Sequence, residues 1–374
     1  MKIDAIFLRE LNLPLLRPFQ TSFGVTKDRR VVLAEIHSEG LIGWGECTAG
    51  EHPHFSEESV DSCWQVIVDE LGPMLAANNP ENGGQCTRLL GLVRGNRMAK
   101  ATLENAIWDL EAQRKGISLS ELLGGVRKTI PCGVSIGIQS SIPELLDVID
   151  REVSAGYQRI KLKCKPGWDL EVFERVRDRF PEITLSCDAN SAYRLKDSDH
   201  LVNFDQFNLL MVEQPLWYDD FYYHSMLQKQ LNTPICLDES IRNRRDALAA
   251  IEMESCRIIN IKLGRVGGFS EAIAVHNAAM ERGIPVWCGG MLESGIGRSH
   301  NIALSTLENY SLPGDVSASK RYWAEDIIEP EVTVSAEGEI AIPDTPGRGY
   351  EVRTDLVERL TVRKHEIRTP VMVG

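Results

Sequence analysis

Arg159-Ile-Lys-Leu-Lys163 is the first of five short apolar runs that each end on a charged residue. The others are Ile183-Thr-Leu-Ser-Cys-Asp188, Leu209-Leu-Met-Val-Glu213, Pro234-Ile-Cys-Leu-Asp238 and Ile258-Ile-Asn-Ile-Lys262. Their terminal residues, Lys163, Asp188, Glu213, Asp238 and Lys262, are separated by 25, 25, 25 and 24 positions. One strand, one helix and two loops take about that much chain. The spacing therefore predicts consecutive parallel strands whose charged ends share one rim, and in a closed (β/α) barrel that rim carries the chemistry. A doubly wound open sheet is the alternative, but it would gather such groups at a single crevice.

The same rhythm extends in both directions, so a barrel is expected over residues 126–328. Residues 130–137 read as its first strand, Pro285-Val-Trp-Cys-Gly289 as its seventh and a segment near 312–316 as its last. Amphipathic helices over 171–180 and 270–282 fit between strands. Residues 1–125 lack βα repeats: strands at 3–11 and 30–36, a turn at 40–45 into a third strand, then helices over 57–71 and 98–114. Gly116 is a plausible stop for the second helix. That is an α+β domain, and residues 329–374, which lose the rhythm, are expected to return to it.

Composition is that of a globular protein, with 43% hydrophobic and 25% charged residues. A net charge of −13 argues against nucleic acid or an anionic membrane as partner. It leaves an anionic small molecule open, because the field at a metal–lysine site can oppose the global one. No apolar stretch approaches the roughly 18–20 residues of a membrane span, and the N-terminus lacks a signal-peptide core. The nine cysteines are odd in number and form no CxxC pair, which points to a reducing cytoplasm. A homo-oligomer is expected.

Asp188, Glu213 and Asp238 are hard oxygen donors with no Cys or His at equivalent positions, which suits Mg²⁺ (or Mn²⁺) rather than Zn²⁺. Three protein ligands leave positions for a substrate carboxylate, whose neighbouring C–H then becomes acidic enough to remove. Lys161 and Lys163 are two apart on one strand and so share its inner face. Two ammonium groups that close beside a cation should push at least one pKa down toward neutrality, as a lysine base requires. Lys262 ends a strand on the far side of the carboxylates, giving an acid/base pair across the substrate plane.

Taken singly, each acid reads as a helix cap or a solvated loop residue, and the lysine pair as an edge-strand pattern. Five such coincidences at equal spacing make that reading of the set untenable. Weaker candidates stay open. His52 and His54, beside Glu51, are a metal pair or a solvated loop. Gly289-Gly-Met-Leu-Glu-Ser-Gly-Ile-Gly297 is an anion cradle or a tight turn. Ser135 offers a substrate hydrogen bond or a core cap. No nucleophile elbow, P-loop or dinucleotide fingerprint is present.

Lys161-Leu-Lys163, Asp188-Ala-Asn190, Glu213-Gln-Pro215, Asp238-Glu-Ser240 and Lys262 resemble the enolase superfamily, in its muconate lactonizing enzyme subgroup. The subgroup rests on lysine at the sixth strand and no histidine closing the seventh. Thr21-Ser-Phe-Gly24, Gly95-Asn-Arg-Met-Ala-Lys-Ala101, Lys161-Leu-Lys-Cys-Lys-Pro-Gly-Trp168 and Trp287-Cys-Gly-Gly-Met-Leu-Glu-Ser-Gly-Ile-Gly-Arg298 are similar to the o-succinylbenzoate synthase / N-acylamino acid racemase family. The resemblance covers nearly the whole chain. It implies a modified (β/α)7β-type TIM barrel under an α+β cap, with Mg²⁺ on Asp188, Glu213 and Asp238. It implies further that Lys163 removes the α-proton, Lys262 stabilises the enediolate from the other face and Lys161 tunes Lys163.

Loops at 19–24 and 50–55 would close over the substrate tail, with Phe19, Ser135, Asn190, Gly290, Met291 and Leu292 as contacts. The implied reaction is dehydration of 2-succinyl-6-hydroxy-2,4-cyclohexadiene-1-carboxylate to o-succinylbenzoate, a step of menaquinone synthesis. Racemisation of N-acylated (N-succinyl) amino acids is the alternative, or both together. A silent scaffold is the reading from another class. Five like and unlike charges buried together argue against it, because they cost stability that a scaffold has no reason to spend.

Overall fold

The structure, a computed structural model, describes residues 1–22 and 24–368. Phe23, in the 19–24 loop, and the last residues of the 329–374 tail lie outside the described residues. Three antiparallel strands open the chain: β1 (Ala5–Gln20), β2 (Val25–Ser38) and β3 (Leu41–Cys47). The long helix α1 (Arg97–Lys115) packs on them. Ile6, Leu8, Val32, Ala34 and Ile36 from the sheet meet Leu103, Ala106, Ile107 and Leu110 from the helix in one core.

The approach is close because β3 carries Gly43 and Gly45. A Cβ on Gly45 would stand 1.8 Å from the Thr102 carbonyl oxygen, which is backbone and cannot yield. Gly45→Ala is expected to cost at least about 3 kcal/mol in denaturant unfolding; a loss under 1 kcal/mol would mean that helix and sheet are less tightly fixed.

The barrel strands follow as β4 (Gly133–Ile136), β5 (Arg159–Lys163), β6 (Leu185–Asp188), β7 (Val212–Glu213), β8 (Ile235–Leu237), β9 (Ile258–Ile261) and β10 (Val286–Cys288). They form one seven-stranded parallel sheet in chain order. Helices on its outside include α2 (Ile142–Ser154), α3 (Leu170–Arg179), α4 (Tyr222–Gln228), α5 (Arg244–Glu252), α6 (Phe269–Met280) and α7 (Gly295–Leu304). Strands buried on both faces read as near-continuous apolar runs, as β8 and β10 do, while β5 alternates and puts Arg159, Lys161 and Lys163 on one face.

Two expectations about the ends of the sheet need correction. Residues 130–137 are not one strand: Thr129–Pro131 pairs antiparallel with Glu339–Ala341, and only Gly133–Ile136 joins the barrel. The expected last strand near 312–316 is not a regular strand either. Its segment still closes the circle, with Gly133 N–H donating to the Gly314 carbonyl at 2.7 Å and Asp315 N–H to that of Cys288 at 2.8 Å. Pro313 has no N–H to offer a ladder, so the closure is made by single bridges. The result is a modified TIM barrel beside an antiparallel cap sheet. The C-terminal strand β11 (Thr361–Arg368) pairs with β1, giving the cap sheet the order β11-β1-β2-β3. No described helix is long and apolar enough to cross a membrane.

Candidate active site

Strand register brings the charged ends together. Lys163 is paired with Asp188 across β5 and β6, and Asp188 with Glu213 across β6 and β7. Asp238 directly follows β8 and Lys262 directly follows β9. All five are buried, and the three carboxylates have no exposed surface at all. Lys163 Nζ donates to Asp188 Oδ2 at 2.5 Å and to Asn190 Oδ1 at 2.9 Å. On the far side, Lys262 Nζ donates to Asp238 Oδ2 at 2.7 Å and sits 4.3 Å from the centre of the Phe55 ring. Thus the carboxylate strands stand between two lysines.

Lys161 is tied differently. Its Nζ lies 2.7 Å from Glu213 Oε2, 2.7 Å from Asp315 Oδ2 and 3.6 Å from Asp188 Oδ2. Burial alone would lower its pKa, but Asp315, Glu213 and Asp188 outweigh that and hold it well above the ordinary lysine value. The expected drop toward neutrality is therefore absent at Lys161, which stays an ammonium. Lys262 is raised in the same way, burial being overcome by Asp238 and Glu213.

The carboxylates respond in opposite directions. Burial would raise Asp188, but Lys163 and Lys161 hold it at about 2. Glu213 is pushed up to about 7 by burial and by Asp188, with Asp238 adding to the push against Lys161. Glu239 rises to about 8, through burial and then the charges of Asp238 and Asp188. Four acids crowded this closely are the electrostatic condition that a divalent cation relieves. The donor set fits a hard cation, with oxygen atoms only and no water-exposed surface. Among the described residues, no three acidic, His or Cys side chains are already closed around one point. Each carboxylate oxygen of Asp188, Glu213 and Asp238 is instead held by a donor, including Asn260 Nδ2 on Glu213 Oε1 at 2.7 Å and Arg265 on Asp238.

Above the lysines lies a cavity of about 300 Å³, lined among others by Phe19, Lys163, Asn190, Lys262, Met291 and Leu292. Gly290 also faces it. Asn190 bridges the two sides, accepting from Lys163 and donating Nδ2 to Glu239 Oε1 at 3.0 Å. Ser135 is not among the residues lining this cavity; it lies beside Lys161 on the neighbouring strand, and its buried hydroxyl has no hydrogen-bond partner among the described residues. His52 and His54 are exposed at the cavity rim, ring centres 5.4 Å apart, with no third ligand gathered to them among the described residues.

Three polar partners escaped the sequence reading. Asn260 had a usable signal, since it lies two residues before Lys262 and so shares its face, by the logic applied to Lys161 and Lys163. Asp315 sits on the irregular closing segment and Arg265 in a short helical turn, where no strand period points inward.

Comparison with known proteins agrees with this fold. Residues 144–356 match the family model "Enolase C-terminal domain-like", and residues 3–124 match "Mandelate racemase / muconate lactonizing enzyme, N-terminal domain". The chain is 51% identical over 362 residues to an o-succinylbenzoate synthase of Geobacillus stearothermophilus, covering 96% of each. It is 45% identical over 362 residues to an N-succinylamino acid racemase of Thermus thermophilus, covering 97% of this chain and 98% of the relative. A crystal structure of an enolase superfamily member from Listeria innocua superposes with a TM-score of 0.94 at 40% identity, covering 99% of this chain and all of the other. This chain belongs to the enolase superfamily, in its muconate lactonizing enzyme branch, and within that to the o-succinylbenzoate synthase / N-acylamino acid racemase family.

Proposed function

We propose that the protein is an o-succinylbenzoate synthase that dehydrates 2-succinyl-6-hydroxy-2,4-cyclohexadiene-1-carboxylate to o-succinylbenzoate. The observation that carries this is the pair of buried lysines, Lys163 and Lys262, on either side of the Asp188–Glu213–Asp238 group under one cavity. Relatives named o-succinylbenzoate synthase at 51%, 50% and 43% identity favour dehydration as the outcome.

A divalent cation is the usual cofactor of this superfamily; Mg²⁺, with Mn²⁺ as substitute, would be held by Asp188, Glu213 and Asp238 and would supply positive charge to a bound carboxylate. Lys163, as the general base, takes the proton from the ring carbon bearing the carboxylate. The C–H electron pair passes into the carboxylate, generating an enediolate, and returns as the ring C–O bond breaks. The leaving hydroxide takes that proton back from the Lys163 ammonium on the same face and departs as water, which leaves the ring aromatic and Lys163 free for the next turnover. Lys262, an ammonium, faces the developing charge from the opposite side. Lys161 keeps a fixed positive charge between Glu213, Asp188 and Asp315. Phe19, Asn190, Gly290, Met291 and Leu292 would hold the part of the substrate that does not react, and Ser135 would meet it from below.

Racemisation of N-succinyl amino acids begins with the same proton abstraction. It is favoured as a second activity by the two-sided lysine arrangement and by racemase relatives at 45% and 44% identity. With Mg²⁺ present, dehydration is expected as a rise in aromatic absorbance, and α-proton exchange of N-succinyl amino acids as deuterium uptake in D₂O. Exchange without dehydration would leave racemisation as the function. Loss of neither proton would sink both readings.

A further inference from the structure

A second buried charge cluster, unused by this chemistry, lies where the cap meets the barrel rim. Glu46 on β3 crosses from one to the other and is only 2% exposed. Its Oε1 accepts the Ser294 N–H at 2.9 Å, while Oε2 accepts the Ser294 hydroxyl at 2.5 Å and the Gly297 N–H at 2.7 Å. Backbone donors in the first turn of α7 have no partner within that helix, so a carboxylate from outside satisfies them.

Glu293, next in line, holds the preceding loop. Its Oε1 accepts the Met291 N–H at 2.9 Å and Asn301 Nδ2 at 2.9 Å. Leu292 between them has φ +57°, a left-handed conformation that a leucine keeps only where its surroundings fix it. On the cap side, buried Arg29 donates to the carbonyls of Ala49 at 2.9 Å and Thr48 at 3.2 Å, where the chain turns into the 50–55 loop. The charged groups facing Glu46 are Glu293 from the barrel loop and Arg29 from β2. Gly297 leaves room for the arrangement: a Cβ there would stand 2.9 Å from Glu46 Oε2 and 2.9 Å from Glu293 Cγ.

We infer that Glu46 is a positioning residue which, by capping α7 from the cap domain, sets the Gly290–Leu292 wall of the cavity against the 50–55 wall. Substrate affinity then depends on a residue that touches no substrate. The inference rests on the proposed function only in taking these walls to hold the non-reacting part of the substrate.

Glu46→Ala, Glu46→Gln and Gly297→Ala test it in the full-length enzyme. Glu46→Ala is expected to raise KM at least tenfold with kcat within threefold of the parent. Glu46→Gln, which keeps one acceptor, should recover most of that loss. Without substrate, amide hydrogen exchange across 289–297 should speed up at least tenfold in Glu46→Ala, with the β5–β8 amides unchanged. Equal loss of kcat and KM performance, or parent-like exchange in 289–297, would overturn the inference. Should Glu46→Ala fail to fold, Gly297→Ala, which displaces the same carboxylate, is held to the same two results. If the parent turns over neither proposed substrate, the exchange measurement alone decides the role of Glu46, and only the functional reading falls.

Discussion

Lys163→Ala and Lys262→Ala are each expected to lower kcat by about 10³-fold or more, while a divalent cation still binds. A positioned acid or base contributes about 10²–10⁴-fold, and charge stabilisation of the enediolate from the Lys262 side adds to that. Neither lysine can replace the other, because the Asp188–Glu213–Asp238 group separates them. Lys163 is tied to Asp188 on one side and Lys262 to Asp238 on the other. Removing either one takes away the nearer lysine and leaves Asp188 only Lys161, at 3.6 Å, or Asp238 only Arg265 as counter-charge. The metal-free variants should therefore lose about 1.5–3 kcal/mol of stability, the size of one buried charged hydrogen bond, and Mg²⁺ should recover more of it than in the parent. Single-turnover kinetics and Mg²⁺-dependent melting measure the two effects separately. A variant with near-parent rates would remove that lysine from the mechanism. A variant that lost Mg²⁺ stabilisation along with activity would mean the site had collapsed.

The rim of the barrel was legible because its residues repeat. Each carries its chemistry at the end of an apolar run, and strand geometry converts equal spacing into a shared location. What lacked a period could not be read. Asp315 belongs to the same charge group as Lys161, yet it follows Pro313 in a segment held by bridges instead of a ladder. Without Asp315 in view, the two adjacent lysines implied a depressed pKa, whereas its carboxylate is the strongest of the three that raise Lys161. The break in the first strand has a similar origin. Pro131 ends the pairing with Glu339–Ala341, a partner more than 200 positions away that no local pattern announces. Glu46 and Ser294 are 248 positions apart. Glu46 reads in the sequence as one polar residue in a strand, and only the fold makes it a cap for a helix of the other domain.

Without metal, the protein is expected to become less stable as pH rises from about 5.5 to 8, and Mg²⁺ should reverse the trend. The sign follows from three buried acids whose folded pKa values lie above the ordinary 4.5. Glu213 is at about 7, Glu239 at about 8 and Glu46 at about 7. Between the unfolded and folded values the native state binds more protons than the unfolded chain, so stability drops across that window. One pKa unit is about 1.4 kcal/mol, but the acids around Asp188 and Asp238 titrate together, and the total is smaller than the sum of separate groups. A fall of about 5 °C in Tm over the window is the expected size. Asp188 and Asp315 shift downward and titrate below the window, so they do not offset it; His300, lowered to about 4 by burial, opposes the fall only below about pH 6.5, and the drop is therefore steepest above that. A cation bound to the ionised carboxylates replaces the protons that Glu213 and Glu239 hold near neutrality. The Mg²⁺-induced gain in Tm should therefore grow with pH, and calorimetry in buffers of differing ionisation enthalpy should detect about one proton released per ion near pH 6.5. Glu46→Gln separates the contributions: it should flatten part of the metal-free slope and leave the Mg²⁺-linked proton release intact. A metal-free Tm that is level or rises through the window would contradict the crowding of these acids. A Mg²⁺ gain independent of pH would remove Glu213 from the ligand set.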